Sequence, residues 1–165
     1  MATEENWAAY RMAVVDVEPP DAPAFRVTPA ELGIIGEWPT GLVPPVIVIT
    51  AWNPDSVHLA EDVNRARHAA LVDDLATRDI PWWPATGHDV AGAGRRLDSR
   101  APRGHREEGV AATGLTEVEA RDLARSYGQA AVYVWTPTAW EVVSCTDGRR
   151  VTAGWKVGPL PPADD

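Results

Sequence analysis

The hydrophobic pattern of the chain contains several apolar runs that are typical of strands. Residues Val46 to Trp52 are almost continuously apolar and rich in β-branched side chains, which predicts a strand buried on both faces. Ala130 to Thr136 and Trp140 to Cys145 predict a hairpin with a short Pro-Thr turn. Ala13 to Glu18 and Ala24 to Thr28 flank a proline-rich connection and predict an opening antiparallel pair.

Two segments show features of amphipathic helices. Leu59 to Thr77 has helical length and no breaker, and Asn64 lies on a stripe whose later members include leucines. We therefore expect Asn64 to point inward near the start of this helix. The second helix starts at Thr116, whose spacing to Glu119 fits a capping box, and it ends before Gly128.

The order of these elements predicts one domain of the α/β class, bordering on α+β. We expect a mixed sheet of about six strands with two main helices, and a parallel crossover from Val46 to Trp52, through the first helix, to Pro81 to Pro84. A length of 165 residues with 45% hydrophobic content suits one core. Residues 1–45 are predicted to form the strand pair and a loop, and residues 158–165 a frayed tail.

Charge and composition limit the partners. A net charge of −9 argues against non-specific binding to nucleic acid or to an anionic membrane. One segment is basic despite the negative net charge: Arg95 to Arg106 holds five arginines and one acidic residue, Asp98. This segment could be a loop that binds phosphate, or it could be a solvated loop without a ligand. The acidic N-terminus, the short apolar runs and the single cysteine, Cys145, predict a soluble cytoplasmic protein with Cys145 in the core.

The polar turn that follows the strand Val46 to Trp52 is the main candidate site. Trp52 and Asn53 could form a recognition corner at the strand end, or they could fill core and tie down the loop. The Asn64 amide could lie next to Asn53 and hydrogen-bond the polar edge of a ligand, or it could satisfy carbonyl groups of the loop. Gln129, placed between a helix and a strand, allows the same two interpretations.

Glu107 and Glu108 are adjacent on a predicted strand, so only one of them can join a pocket. We assign Glu108 to it as a general base or as the partner of a cationic ligand, with Arg106 as a further ligand-binding residue. The alternative is a carboxylate at the strand edge that pairs with Arg106 or with another arginine of the loop.

Metal and cofactor motifs are lacking. His88, Asp89, His105 and Glu107 are metal-ligand types, but their spacing does not support a site. The chain has neither the P-loop nor the dinucleotide-binding glycine pattern, so we expect no cofactor.

The chain contains eight tryptophans. Trp7, Trp38, Trp83 and Trp155 lie in segments that cannot all be core, so we expect some to be exposed. Exposed tryptophans would favour a non-enzymatic protein-interaction module.

Four segments together resemble a known family. They are I-T-A-W-N-P-D-S, Asn64, E-E-G-V at Glu107 to Val110, and Y-G-Q-A-A-V at Tyr127 to Val132. They resemble the bacterial domain-of-unknown-function family numbered 3293, and the similarity spans the core at residues 46–145. The resemblance implies a compact bacterial cytoplasmic α/β domain and no particular reaction.

These observations lead to one functional hypothesis. A pocket built from Trp52, Asn53, Asn64, Glu108 and Gln129 binds or modifies a small polar molecule, including phosphorylated metabolites or nucleotides. The side chains can converge only if the strand 46–52 runs antiparallel to the strands at 107–113 and 130–136.

Overall fold

The computed structural model describes residues 2–89 and 106–162. Within these residues the chain forms three α-helices and eight strands, with a short 3-10 helix at Pro54–Ser56. In chain order they are α1 (Glu4–Met12), β1 (Val14–Val17), β2 (Phe25–Ala30), β3 (Val46–Thr50), α2 (Glu61–Thr77), β4 (Trp82–His88), β5 (Arg106–Ala112), α3 (Glu117–Ser126), β6 (Ala131–Thr136), β7 (Ala139–Ser144) and β8 (Arg150–Pro159).

The strands form a closed antiparallel barrel in the order β1-β2-β8-β7-β6-β3-β5-β4, with β4 pairing back to β1. The prediction of an open mixed sheet of about six strands with two helices was wrong. The predicted pair β1 and β2 is present, but β2 also pairs with β8 along its full length. These closing pairings join segments that are distant in the sequence, so no local hydrophobic pattern indicates them.

The predicted parallel crossover was also wrong in its pairing. Strands β3 and β4 run in the same direction, but they are not neighbours, because β5 lies between them and is antiparallel to both. Helix α2 thus connects two strands that flank a third, which comes later in the chain.

The barrel wall separates two hydrophobic cores, and β3 contributes to both. Val46 and Val48 point into the barrel, whereas Ile47 and Ile49 point outward beneath α2 and α3. The prediction of a strand buried on both faces is confirmed. The outer core also contains Cys145, which is buried as expected.

The interior of the barrel is filled largely by aromatic side chains. Trp135, Trp140 and Trp155 are almost completely buried there, and Trp38 packs beside them at 4.4 Å between ring centroids from Trp135. Trp7 is buried too, with the Arg149 guanidinium 4.4 Å from its ring centroid. None of the eight tryptophans is exposed, so the expectation of exposed tryptophans was wrong and no longer supports an interaction surface.

Both ends of the described chain are more ordered than the sequence predicted. Helix α1 was missed, although Thr3 and Asn6 form a capping box at its start. Strand β8 continues to Pro159, which pairs with Phe25, so residues 158 and 159 are not part of a frayed tail. Within the described residues, none of the helices has the length and apolar content needed to cross a membrane.

Candidate ligand-binding cleft

The corner after β3 is held by two buried amides, Asn53 and Asn64, which we call the amide clamp. The Asn64 Oδ1 accepts from the Asn53 backbone N–H at 2.9 Å, and the Asn64 Nδ2 donates to the Asn53 Oδ1 at 2.9 Å. The Asn64 Nδ2 also donates to the carbonyl of Leu59 at 3.3 Å, and the Asn53 Oδ1 accepts from the Leu59 N–H at 3.1 Å. Both donors of the Asn64 amide are therefore engaged inside the protein, as expected for a structural role.

The same corner docks onto the end of α3. The Gln129 Nε2 donates to the carbonyl of Trp52 at 2.8 Å, and the Asp55 N–H donates to the carbonyl of Gly128 at 2.9 Å. Gly128 has φ +73°, and a Cβ there would lie 2.7 Å from the Pro54 Cβ. Only glycine fits this position without strain. The T-A-W-N-P and Y-G-Q segments are thus two sides of one contact.

The antiparallel condition for convergence is met, since β3 runs antiparallel to both β5 and β6. It brings Glu107, rather than Glu108, to the clamp: the Asn53 Nδ2 donates to the Glu107 Oε1 at 3.0 Å. Burial raises the pKa of Tyr133 and of Tyr10, and the nearby Glu107 charge raises both further.

Glu108 faces the opposite side of β5 and lines a separate cavity of about 190 Å³. We call this cavity the β4–β5 cleft, since most of its walls come from these two strands, with His68 contributed by α2. Its lining residues are Glu18, His68, Pro84, Ala85, Thr86, Arg106, Glu108 and Gly109. Thr86 lies directly opposite Glu108 in the strand register, so the hydroxyl and the carboxylate are cross-strand neighbours.

His68 enters the cleft from α2 as a weakly basic imidazole. Burial lowers the pKa of His68, and the Glu108 charge opposes this shift only in part. The Nδ1 atom is buried and has no hydrogen-bond partner in the described part of the chain. Thr86 is 8% exposed, and residues 2–89 and 106–162 provide no hydrogen bond to its hydroxyl. The lining of the cleft therefore includes one residue, His68, with a buried polar atom that the described residues do not satisfy.

Beside the cleft, the carboxylate of Asp16 does have hydrogen-bond partners within the protein. Its carboxylate accepts from the Arg26 Nε at 2.7 Å and Nη2 at 2.9 Å, and from the His88 Nε2 at 2.8 Å. Burial acts to raise the pKa of Asp16, but Arg26 and His88 outweigh it and hold this pKa below its ordinary value. Asp16 is saturated by neighbours and is a boundary of the cleft rather than part of it.

The structure therefore divides the predicted site residues into two groups. Trp52, Asn53, Asn64 and Gln129 meet at the corner, while Arg106 and Glu108 meet in the cleft. Thr50, the last residue of β3 before the corner, connects the two groups. Its Oγ1 donates to the Glu108 carbonyl at 2.8 Å.

Sequence reasoning did not assign His68 or Thr86 to the site. His68 had a detectable signal, as it lies four residues after Asn64 on the same stripe of α2. Thr86 had none, because its partner Glu108 is more than twenty residues away and is reached only through strand pairing.

Some predicted features cannot be placed. Arg95, Arg96, Arg100, Arg103 and His105 lie outside the described residues. Among the residues that are described, no group of three or more histidine, cysteine, aspartate or glutamate side chains is arranged to hold a metal ion.

Fold and site together define a small antiparallel β-barrel with a polar cleft on its outer wall. The chain belongs to a family described as protein of unknown function (DUF3293), whose model matches residues 49–132, just over half of the chain. This confirms the resemblance seen in the sequence. No curated protein and no solved structure matches significantly. The matched residues include the amide clamp and most of the cleft lining.

Proposed function

We propose that this protein binds a small polar molecule in the β4–β5 cleft. The observation that carries this proposal is the polar lining of one cavity: His68, whose buried Nδ1 has no hydrogen-bond partner in the described residues, lies there with Thr86 and the carboxylate-bearing Glu108. Buried polar atoms without partners cost about 1 to 3 kcal/mol each, so a ligand that satisfies them gains affinity.

The amide clamp supports the cleft instead of binding the ligand. Its hydrogen bonds fix the start of α2, and His68 follows Asn64 by one helical turn. Asn53 also fixes Glu107, which precedes Glu108 on β5. The clamp thus positions two elements that line the cleft, as supporting residues do around rigid binding sites.

Within the described lining, Arg106 is the cationic group against Glu18 and Glu108. This balance favours ligands that present hydrogen-bond donors or an ammonium group. Phosphorylated metabolites and nucleotides were expected because of the loop Arg95 to Arg106, and of its five arginines only Arg106 lies within the described residues.

A ligand panel tests the proposal. Thermal-shift and NMR titrations with amino acids, amines, sugars, sugar phosphates and nucleotides should find a compound that shifts the amide signals of His68, Thr86 and Gly109. Glu108→Gln should abolish this response without loss of stability.

The matched control is Glu107→Gln. It removes the same charge one residue away, on the other face of β5, and its amide oxygen can still accept from Asn53. A panel that leaves the cleft signals unchanged, or a hit that binds Glu108→Gln as tightly as the original protein, would rule out the cleft as the binding site.

A further inference from the structure

The charged side chains that line the β4–β5 cleft differ from the neighbouring Asp16 in whether their charge is already neutralised. Among the described residues, neither Arg106 nor Glu108 forms an ion pair, whereas Asp16 beside them is saturated by Arg26 and His88. Within the described lining, one cationic group, Arg106, and two carboxylates, Glu108 and Glu18, therefore remain for a ligand to neutralise.

The positions of these two groups set the geometry of a complementary ligand. Arg106 and Glu108 are two residues apart on β5, so they project from the same face of the strand with Cα atoms roughly 7 Å apart. A molecule that contacts both must carry opposite charges separated by a few bonds.

We propose that the ligand of the cleft is a small zwitterion, with its carboxylate bound by Arg106 and its ammonium group bound by Glu108. This inference rests on the proposed function and specifies its ligand class. Glu18 adds a second carboxylate to the lining.

Molecules with one kind of charge fit the lining less well. A phosphate dianion would be attracted by Arg106 and repelled by Glu108 and Glu18. A simple amine would be attracted by the carboxylates but would leave Arg106 unpaired and beside another cation. Only a ligand with both signs of charge gives each of these groups an opposite partner.

The uncharged groups fit an ammonium head as well. The pKa of His68 is lowered by burial, so its imidazole adds no positive charge near neutral pH. A neutral imidazole nitrogen accepts a hydrogen bond from an ammonium group, as does the hydroxyl of Thr86, which lies opposite Glu108. The volume of about 190 Å³ is below the range for drug-sized ligands and suits a molecule of this size.

A ladder of ω-amino acids tests this inference on the full-length protein. The probes are glycine, β-alanine, γ-aminobutyrate and 5-aminopentanoate, which differ only in the separation of their charges. Butylamine and butyrate are the matched probes with one charge, and glucose 6-phosphate represents phosphates. Affinities are measured by calorimetry, with NMR to locate the site.

One member of the ladder should bind at least tenfold more tightly than butylamine and butyrate. Glu108→Gln and Arg106→Gln should each weaken its binding tenfold or more, whereas Glu107→Gln should leave it unchanged.

Two results would overturn the zwitterion while leaving the cleft as a binding site. One is that butylamine binds as tightly as any zwitterion and does not depend on Arg106. The other is that glucose 6-phosphate, or another compound of the wider panel, binds in the cleft while no member of the ladder does. If neither the ladder nor the panel shifts the cleft signals, both proposals fail.

Discussion

The amide clamp and the β4–β5 cleft lie one helical turn apart on α2, yet their polar side chains are in opposite states. Asn64 has both amide donors engaged by the protein, whereas the buried Nδ1 of His68 has no partner in the described part of the chain. Both positions belong to one stripe of one helix. On this stripe of α2, the completeness of hydrogen bonding distinguishes the structural Asn64 from His68, the candidate binding group.

The largest effect should come from opening the clamp. Asn64→Ala leaves the Asn53 N–H and the carbonyl of Leu59 without their partner, and we expect a loss of about 3 kcal/mol in the free energy of unfolding, measured with urea. Arg65→Ala, an exposed neighbour on α2, is the control and should change stability by less than about 0.5 kcal/mol. A loss below about 1 kcal/mol for Asn64→Ala would remove the distinction between clamp and cleft.

A smaller effect should follow from a methyl group at Gly128. The φ of +73° strains any side chain there, and the new Cβ would meet the Pro54 Cβ at 2.7 Å. Gly114→Ala isolates the backbone part, because φ is +81° and nothing lies within 4 Å of the added Cβ. We expect Gly128→Ala to cost about 1 to 2 kcal/mol more than Gly114→Ala in thermal unfolding. Equal costs would mean that the contact between the corner and α3 does not constrain the fold.

The smallest effect concerns the boundary of the cleft and depends on pH. Because the pKa of Asp16 is lowered on folding, its ion pairs stabilise the protein above the ordinary value of 3.8. That contribution disappears as pH falls through the folded-state pKa. We therefore expect Asp16→Asn to cost about 1 kcal/mol near neutral pH and to approach the original protein in stability in more acidic solution.

Asp122→Asn, at an exposed aspartate on α3, is the matched control and should show a smaller dependence on pH. A constant difference between Asp16→Asn and the original protein across the acid range would contradict a charge effect at Asp16.

Local signals in the sequence predicted several individual elements, although not helix α1, and they indicated the inward position of Asn64 in the clamp. The β-branched run at β3, the capping box at Thr116 and the inward direction of Asn64 depend on residues close in sequence, and all three are present in the structure. The mutual contact of Asn53 and Asn64 was one of the two interpretations that we kept open.

The choice between Glu107 and Glu108 could not be made in the same way. Strand β5 is apolar on both faces beyond these residues, because Ala111 packs inside the barrel and Val110 and Ala112 pack outside. Alternation shows that the two carboxylates diverge, but it does not show which of them faces the clamp. Which carboxylate faces the clamp depends on how the barrel closes, and closure is determined by pairing between strands that are distant in the sequence.

The segment that matches the family does not contain all the strands that close the barrel. Residues 49–132 end within β6, yet β4 needs β1 as its neighbour and β6 needs β7. A fragment cut to that segment would keep only two residues each of β3 and β6, would leave β4 without β1, and would lose Trp135, Trp140 and Trp155 from its interior. The smallest part of this chain that can fold independently is therefore larger than the part recognised by sequence similarity.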